Sequence, residues 1–404
     1  MATTEARSSS HPDPSELLFG HFAADSPQPG YKTLRDKCPV ARSDFAGWPS
    51  TYISRYEDVL WALRHPEVFS SDAEALSIGQ EQPLIPLQVD PPLHTLYRRI
   101  LNPEFIPKKM AELHDDVVVL VNGIIDKFAG RGACDFHEEF ATPLPSTIFL
   151  RLMAMPQSDL PQFLQWRDNI IRPDVEPGDF EGAARIRAQT GHEITEYFAA
   201  ALARRRDQPD EGFLSQLVRL ELEGRLLSQE ELLGICQLML LGGLDTVTAT
   251  LDCMVTYLAT HEDERRRLGG HPDLIPSAVE ELLRTESPVM VVPRVVHQPV
   301  TIAGVELSPG EHVNLVLGAA NSDEAEFADA DAVDLGRDSN RHLAFGGGHH
   351  LCLGQHLARL ELRVALEEFH RRIPDYKIAD GAEIHFSPGI RQADTLPLVF
   401  PPTA

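Results

Sequence analysis

The sequence predicts a mainly α-helical protein with small β-sheets, built as one large domain. Three observations carry that expectation. Apolar residues recur at spacings of three and four over most of the chain, strand-like runs are few and short, and no repeat or low-complexity stretch divides the chain. A length of 404 residues would by itself suggest two or three domains. With no linker in sight, the chain reads instead as a polar leader over residues 1–30 followed by a single domain over 31–404.

In chain order, helical periodicity marks residues 54–64, 110–128, 145–153, 160–171 and 180–206, with proline and glycine clusters such as the run from Arg172 to Gly178 as breakers. Strands are expected over 50–53, 295–302 and, after the turn Ser308-Pro309-Gly310, over 312–317. The longest helix is expected over 228–261, where Ser228 and Glu231 form a capping box ahead of an apolar run. At ~1.5 Å per residue it would span ~50 Å. Its middle holds Gly242-Gly243-Leu244-Asp245-Thr246. Each glycine costs about 1 kcal/mol in a helix interior, and an acid beside a hydroxyl is out of place among apolar residues. Close approach of another helix is the plain reading of the glycine pair.

Composition narrows the function. The 61 acidic and 36 basic side chains leave a net charge of −25, the wrong sign for binding nucleic acid or an anionic membrane. Five cysteines without a CxxC pair argue against a disulfide framework and for a reducing, cytoplasmic setting. The N-terminus lacks a basic region followed by an apolar run, so it does not read as a signal peptide. No stretch is expected to reach the length of a spanning helix; the best, over 117–125, is interrupted by Asn122 and Gly123.

The most informative segment runs Phe345-Gly346-Gly347-Gly348-His349-His350-Leu351-Cys352-Leu353-Gly354 ahead of a helix over 355–373. Three glycines let the backbone fold tightly with its amides converging. Cys352 is expected at the start of the helix, where the dipole favours a thiolate. A thiolate held by amides and backed by the Phe345 ring suits an axial haem ligand. Two alternatives stay open: zinc on Cys352, His349, His350 and His356, or a nucleophilic cysteine.

With these residues in view, the sequence resembles the cytochrome P450 family. The haem signature F-G-x-G-x-H-x-C-x-G is met from Phe345 to Gly354, E-x-x-R appears as Glu281-Leu282-Leu283-Arg284, and the central-helix signature appears as Gly242 to Thr246. The segment Ala319 to Asp323 and Arg337 follow in the family's order. The resemblance implies the cytochrome P450 fold and haem b (iron protoporphyrin IX) on Cys352. It also implies propionate contacts from His350, from His94 and Arg98 in the Asp90-Pro91-Pro92 stretch, and from Arg294. Glu281, Arg284 and Arg337 would form a structural triad. Thr246 would steady activated oxygen and Asp245 would relay protons; together they would let the protein insert one atom of O2 into a hydrophobic small molecule. Cys38, Cys134, Cys236 and Cys253 would be inert.

Because the chain carries no flavin, nicotinamide or cluster motif, electrons would come from a ferredoxin and an NAD(P)H-dependent ferredoxin reductase, docking near Arg359 and Arg363 with Arg99, Lys108 and Lys109 beside them. The motifs look most like those of camphor-hydroxylating enzymes, but Gln82 or a neighbour stands where those carry a ketone-binding tyrosine. The expected pocket is Gln82, Leu84, Leu87, Leu238, Met239, Leu241, Gly242, Val291 and Val292, suited to a terpenoid, steroid, fatty acid or aromatic. A dehydratase or isomerase on the same haem, or a haem carrier without turnover, are the other readings. The intact Asp245-Thr246 pair speaks against the first and the lack of an output domain against the second.

Overall fold

A computed structural model describes residues 13–45, 48–75, 78–176 and 178–403. Helices dominate, as the periodicity requires, and those at Leu160–Ile171, Phe180–Asp207 and Gln355–Arg372 fall within a residue of their expected ends. The expected leader ends early. Its first twelve residues lie outside the described part, but Asp13 caps the helix Pro14–Phe19, whose Leu18 is fully buried, and a second helix spans Gln28–Lys37. An aspartate ahead of a proline is a sufficient start signal, and the buried leucine ties the segment to the core.

The main sheet has five strands in the order Val40–Phe45, Trp48–Ile53, His312–Val316, Val291–Val296, Phe69–Ser70, antiparallel except between the second and third. The strand expected over 295–302 is two strands. The first ends at Val296, and Val300–Ile302 belongs to a separate hairpin with Val305–Leu307. Pro299 intervenes, and a proline cannot donate to the ladder. Likewise the helix expected over 110–128 is two pieces, Pro107–Ala111 and His114–Ile125.

Three apolar clusters fill the interior. One gathers the helices Thr246–Thr260, Ile275–Glu286 and Gln355–Arg372; a second gathers Pro143–Leu152, Leu160–Ile171 and Gln229–Leu244; the third lies under the sheet. Leu357 packs against both of the first two, so the helix after the cysteine loop lies where they meet.

The capping box at Ser228 and Glu231 is formed. The helix it starts is divided into Gln229–Leu244 and Thr246–Thr260 at Asp245, where φ is −110°. The two glycines there serve different ends. A Cβ on Gly243 would sit 3.0 Å from the Phe149 ring, whereas one on Gly242 would meet nothing within 4 Å. Close packing thus accounts for Gly243 and open space for Gly242. The joined run Gln229–Thr260 is, contrary to the sequence expectation, long and apolar enough to cross a membrane; yet 72% of its most apolar window is buried in protein. Buried Asp245 and Asp252 also place it in the core.

Candidate active site

The cysteine loop owes its shape to two glycines. Gly346 and Gly348 have φ of +71° and +63°, the left-handed region where glycine alone is unstrained. A Cβ on Gly348 would also fall 2.2 Å from the Leu63 carbonyl oxygen, so the loop lies directly on the helix Tyr56–Arg64. The Cys352 amide donates to the Phe345 carbonyl at 2.9 Å, closing the loop. Cys352 lies three residues before the helix Gln355–Arg372, not on it. Burial pushes its thiol pKa up, opposed by the amides of Gly354 and Gln355 and by Arg98 and Arg359. The other four cysteines are buried, whereas Cys352 as a residue is only partly covered, although its thiol points inward. Among the described residues no cluster of three or more His, Cys, Asp and Glu has the arrangement of a metal cage.

Around this thiol the expected propionate residues come together. The His94 and His350 rings are 4.2 Å apart, with His349 at 6.2 Å from His94. Both ring nitrogens of His94 are buried without a hydrogen-bond partner. Burial and the Arg98 charge hold its pKa down at about 4; burial and Arg294 hold His350 at about 2. Buried Arg294 is pushed down to about 10, and among the described residues its guanidinium donates only to the adjacent Pro293 carbonyl, at 2.6 Å. The nearest anion, Asp90, is taken up by Ser70 and Ser71, and Ser71 Oγ lies 2.8 Å from His350 Nε2. Two guanidiniums, an orphaned imidazole and no free carboxylate fit a ligand that brings two carboxylates of its own, as haem does.

On the central helix, Leu238, Met239, Gly243 and Thr246 are only half-buried and Gly242 is exposed, although the helix is otherwise largely buried. Leu238 and Met239 pack in the same cluster as Leu353 and Leu357 beyond the cysteine. Thr246 Oγ1 donates to the Gly242 carbonyl at 2.9 Å, the back-bond that opens a helix locally. Asp245 is fully buried, and Arg172 donates to both its oxygens, at 2.5 and 3.2 Å, with Arg167 Nε 3.7 Å away. Sequence reasoning missed both arginines. Arg172 is 73 residues distant and had registered only as part of a helix-breaking cluster.

The triad is a bonded unit: Arg284 donates to both Glu281 oxygens at 2.7 and 2.9 Å, and Arg337 Nε to one at 3.0 Å. Asn340 and the Asp334 amide complete the shell of Glu281.

Several expected residues are placed otherwise. Leu84 and Leu241 are core, 1% and 6% exposed, because both face the second apolar cluster. Leu87, Val291 and Val292 remain half-buried. Gln82 donates to Gln237 at 3.4 Å, so its amide is tied to the central helix. Arg359 is not a free docking charge: it pairs with Glu280 through two 2.8 Å bonds and lies 4.3 Å over the Phe345 ring. Arg363 is half-buried, its Nε buried without a partner. Of the cations expected beside them, Arg99 and Lys108 are exposed, whereas Lys109 pairs with Glu104 at 2.7 Å.

The sequence model of the Cytochrome P450 family matches residues 273–372. Over 394 residues the chain is 34% identical to a steroid C26-monooxygenase of Mycolicibacterium smegmatis, covering 96% of each protein. It is 33% identical to the vitamin D(3) 25-hydroxylase of Pseudonocardia autotrophica, covering 95% of this chain and 94% of that one. Among solved structures, CYP109E1 from Bacillus megaterium in complex with testosterone superposes with a TM-score of 0.87 at 28% identity, covering 96% of this chain and all of the other (100%). The camphor-type likeness of the motifs has no counterpart among these relatives. The chain belongs to the cytochrome P450 family and is a haem-containing monooxygenase.

Proposed function

We propose that this chain hydroxylates the aliphatic side chain of a steroid or a related fused-ring terpenoid, using haem b held through Cys352 and electrons from a ferredoxin. The observation that carries this reading is the pairing of two surfaces. One is a cysteine loop with Arg98 and Arg294 beside it, neither paired with a carboxylate among the described residues; the other would be formed by the half-buried aliphatics Leu238, Met239, Leu87, Val291 and Val292, with open space at Gly242. The names of the steroid and vitamin D relatives support the substrate class. The balance is one C–H bond, O2, two electrons and two protons giving an alcohol and water.

When bound, haem supplies dioxygen activation; the chain supplies everything around it. Arg98, Arg294, His94 and His350 would neutralise and orient the two propionates. The apolar wall would hold the substrate and exclude water. Thr246, its proton committed to the Gly242 carbonyl, presents oxygen lone pairs at the open space beside Gly242. Asp245 would carry protons inward, and for that the two Arg172 bonds would have to give way, since a carboxylate clamped at both oxygens cannot turn to pass a proton on. The ferredoxin would dock on Arg99 and Lys108 beside exposed Ile106 and Leu351, in the cytoplasm, where the five free thiols stay reduced.

The test is spectroscopic. Reduced protein with carbon monoxide gives the thiolate-shifted Soret band, and steroids with an intact side chain convert the haem to high spin. A band without the shift refutes the thiolate assignment. Equal response to steroids with and without the side chain, or to camphor or fatty acids alone, refutes the substrate class.

A further inference from the structure

The break in the central helix leaves the Gly242 and Leu244 carbonyls without their usual helical partners, and hydroxyls from the following turn take them up. Thr246 donates to Gly242 and Thr248 to Leu244 at 3.2 Å, while Thr250 donates to Thr246 at 2.7 Å within the next helix. Of the three, Thr248 alone also reaches out of the helix: its hydroxyl is shared with the Ala141 carbonyl at 3.0 Å. Ala141 ends a π-helical turn, His137–Ala141, closed by the Thr142 amide on the His137 carbonyl at 2.9 Å. At the other end of that turn, His137 Nδ1 lies 2.8 Å from Asp252 Oδ2, in a pair buried on both sides. Ala141 follows His137 by four residues and Asp252 follows Thr248 by four. The contacts therefore run along one face of each helix. One of them reaches the broken turn itself.

We propose that this π-helical turn is a two-point clamp that sets the opening at Asp245, with Thr248 as a positioning residue for oxygen activation and the His137–Asp252 pair as its anchor. Thr248 bridges the last carbonyl before the break to a backbone outside the helix. The break is therefore held from a fixed point as well as by the helix's own Thr246. Without the bridge, the Leu244 carbonyl is free to take an amide again, and a re-formed helical turn narrows the space beside Gly242. π-helical turns cost stability relative to a regular helix and concentrate at functional positions, which suits a device kept for geometry. The inference rests on the role given to Thr246 above.

The experiment uses substrate-bound holoprotein with a surrogate ferredoxin and reductase. It compares Thr246→Ala, Thr248→Val, Thr248→Ser and Asp252→Asn. The readouts are product per NADPH, peroxide released, and deuterium exchange of the amides of residues 245–250. Thr248→Val removes the donor at nearly constant volume. It is expected to slow exchange at these amides about fivefold, the Boltzmann weight of the one backbone hydrogen bond that a re-formed turn gains, and to raise the peroxide fraction at an unchanged carbon monoxide band. Thr248→Ser restores both, and Asp252→Asn gives a smaller change in the same direction. If Thr246→Ala uncouples the reaction while Thr248→Val and Asp252→Asn match wild type, the clamp is refuted. If Thr246→Ala stays coupled, the oxygen-site reading fails instead. If Thr248→Val yields no holoprotein, Thr248→Ser and Asp252→Asn decide the matter: unchanged exchange and coupling in Asp252→Asn overturn the proposal.

Discussion

Replacing Arg284 by alanine removes the most heavily bonded side chain of the structural triad. Its guanidinium is fully buried and makes five hydrogen bonds: two to Glu281, and one each to the carbonyls of Asn321, Ala330 and Ala332 at 2.9 to 3.0 Å. It also lies 5.1 Å over the Phe327 ring. In Arg284→Ala, Glu281 keeps Arg337, Asn340 and one amide, so the carboxylate is not wholly orphaned, but three carbonyls are. Breaking a buried ion pair costs about 3–5 kcal/mol, and each orphaned carbonyl about 1–3 kcal/mol unless water enters. Even the low end, about 6 kcal/mol in all, exceeds the lower bound of a typical stability of about 5–15 kcal/mol. Arg337→Ala is the control. That side chain is 14% exposed, and its loss leaves the two Arg284 bonds to Glu281 in place; the expected cost is about 1–2 kcal/mol. Urea denaturation followed by far-UV circular dichroism, with haem content from the Soret band, measures both. Equal costs for the two variants, or an Arg284→Ala loss below about 1 kcal/mol, would refute the reasoning.

Three further outcomes are expected. Thr246→Ala keeps substrate binding and the carbon monoxide band but diverts reducing equivalents to peroxide, measured as peroxide per NADPH; full coupling contradicts the role. Asp245→Asn lowers turnover by on the order of 100-fold, as losing a positioned proton donor does, with the substrate dissociation constant unchanged in spectral titration. Glu361 gives a pH signature. Only burial acts on it, pushing its pKa up to about 8, and its Oε2 lacks a partner. Its folded pKa exceeds the unfolded value near 4.5, so the stability it contributes is complete below about pH 4.5 and is lost as pH rises towards 8. The full loss is up to ~5 kcal/mol. Glu361→Gln should flatten that decline between pH 5 and 8.5 in urea titrations. A variant with the wild-type slope rules Glu361 out as its source.

What was legible in the sequence is what short spacing encodes. Gly346 and Gly348 sit within six residues of Cys352, Glu281 lies one helical turn from Arg284, and Thr246 lies four residues from the carbonyl it accepts as partner. Each interaction is local, so the chain advertises it. Arg172 and Asp245 meet only because the helix Leu160–Ile171 ends over the central helix, and no spacing reveals that. Arg359 was misplaced for a related reason. An arginine on a helix looks the same whether it faces solvent or Glu280, seventy-nine residues away. Apolar residues carry the same ambiguity: nothing in their chemistry separates Leu84 and Leu241, which fill the core, from Leu238 and Met239, which stay half-buried. The N-terminal helix was hidden by its polar surroundings, although Asp13 and Pro14 are a sound start signal.

The net charge of −25 acquires a different meaning once the pairs are placed. With 61 carboxylates for 36 cations, a cation left without a carboxylate is the anomaly, because acidic partners are in excess. Arg98 and Arg294 have none within ion-pair distance among the described residues. Arg294 is almost fully buried, and beside both stand imidazoles held neutral by burial and by those same charges. Arg98 also acts on Cys352, favouring the thiolate that burial opposes. An acidic protein has thus kept a positive interior at one place, and the cost of leaving a guanidinium buried and unpaired is recovered only when an anion arrives. The same charges that would receive two propionates would also lower the cost of a thiolate beside them. Cofactor retention and thiolate formation are therefore coupled. A substitution such as Arg294→Leu, which relieves the unpaired charge, should stabilise the haem-free chain while weakening its hold on haem, whereas a purely structural role for Arg294 requires both to fall together.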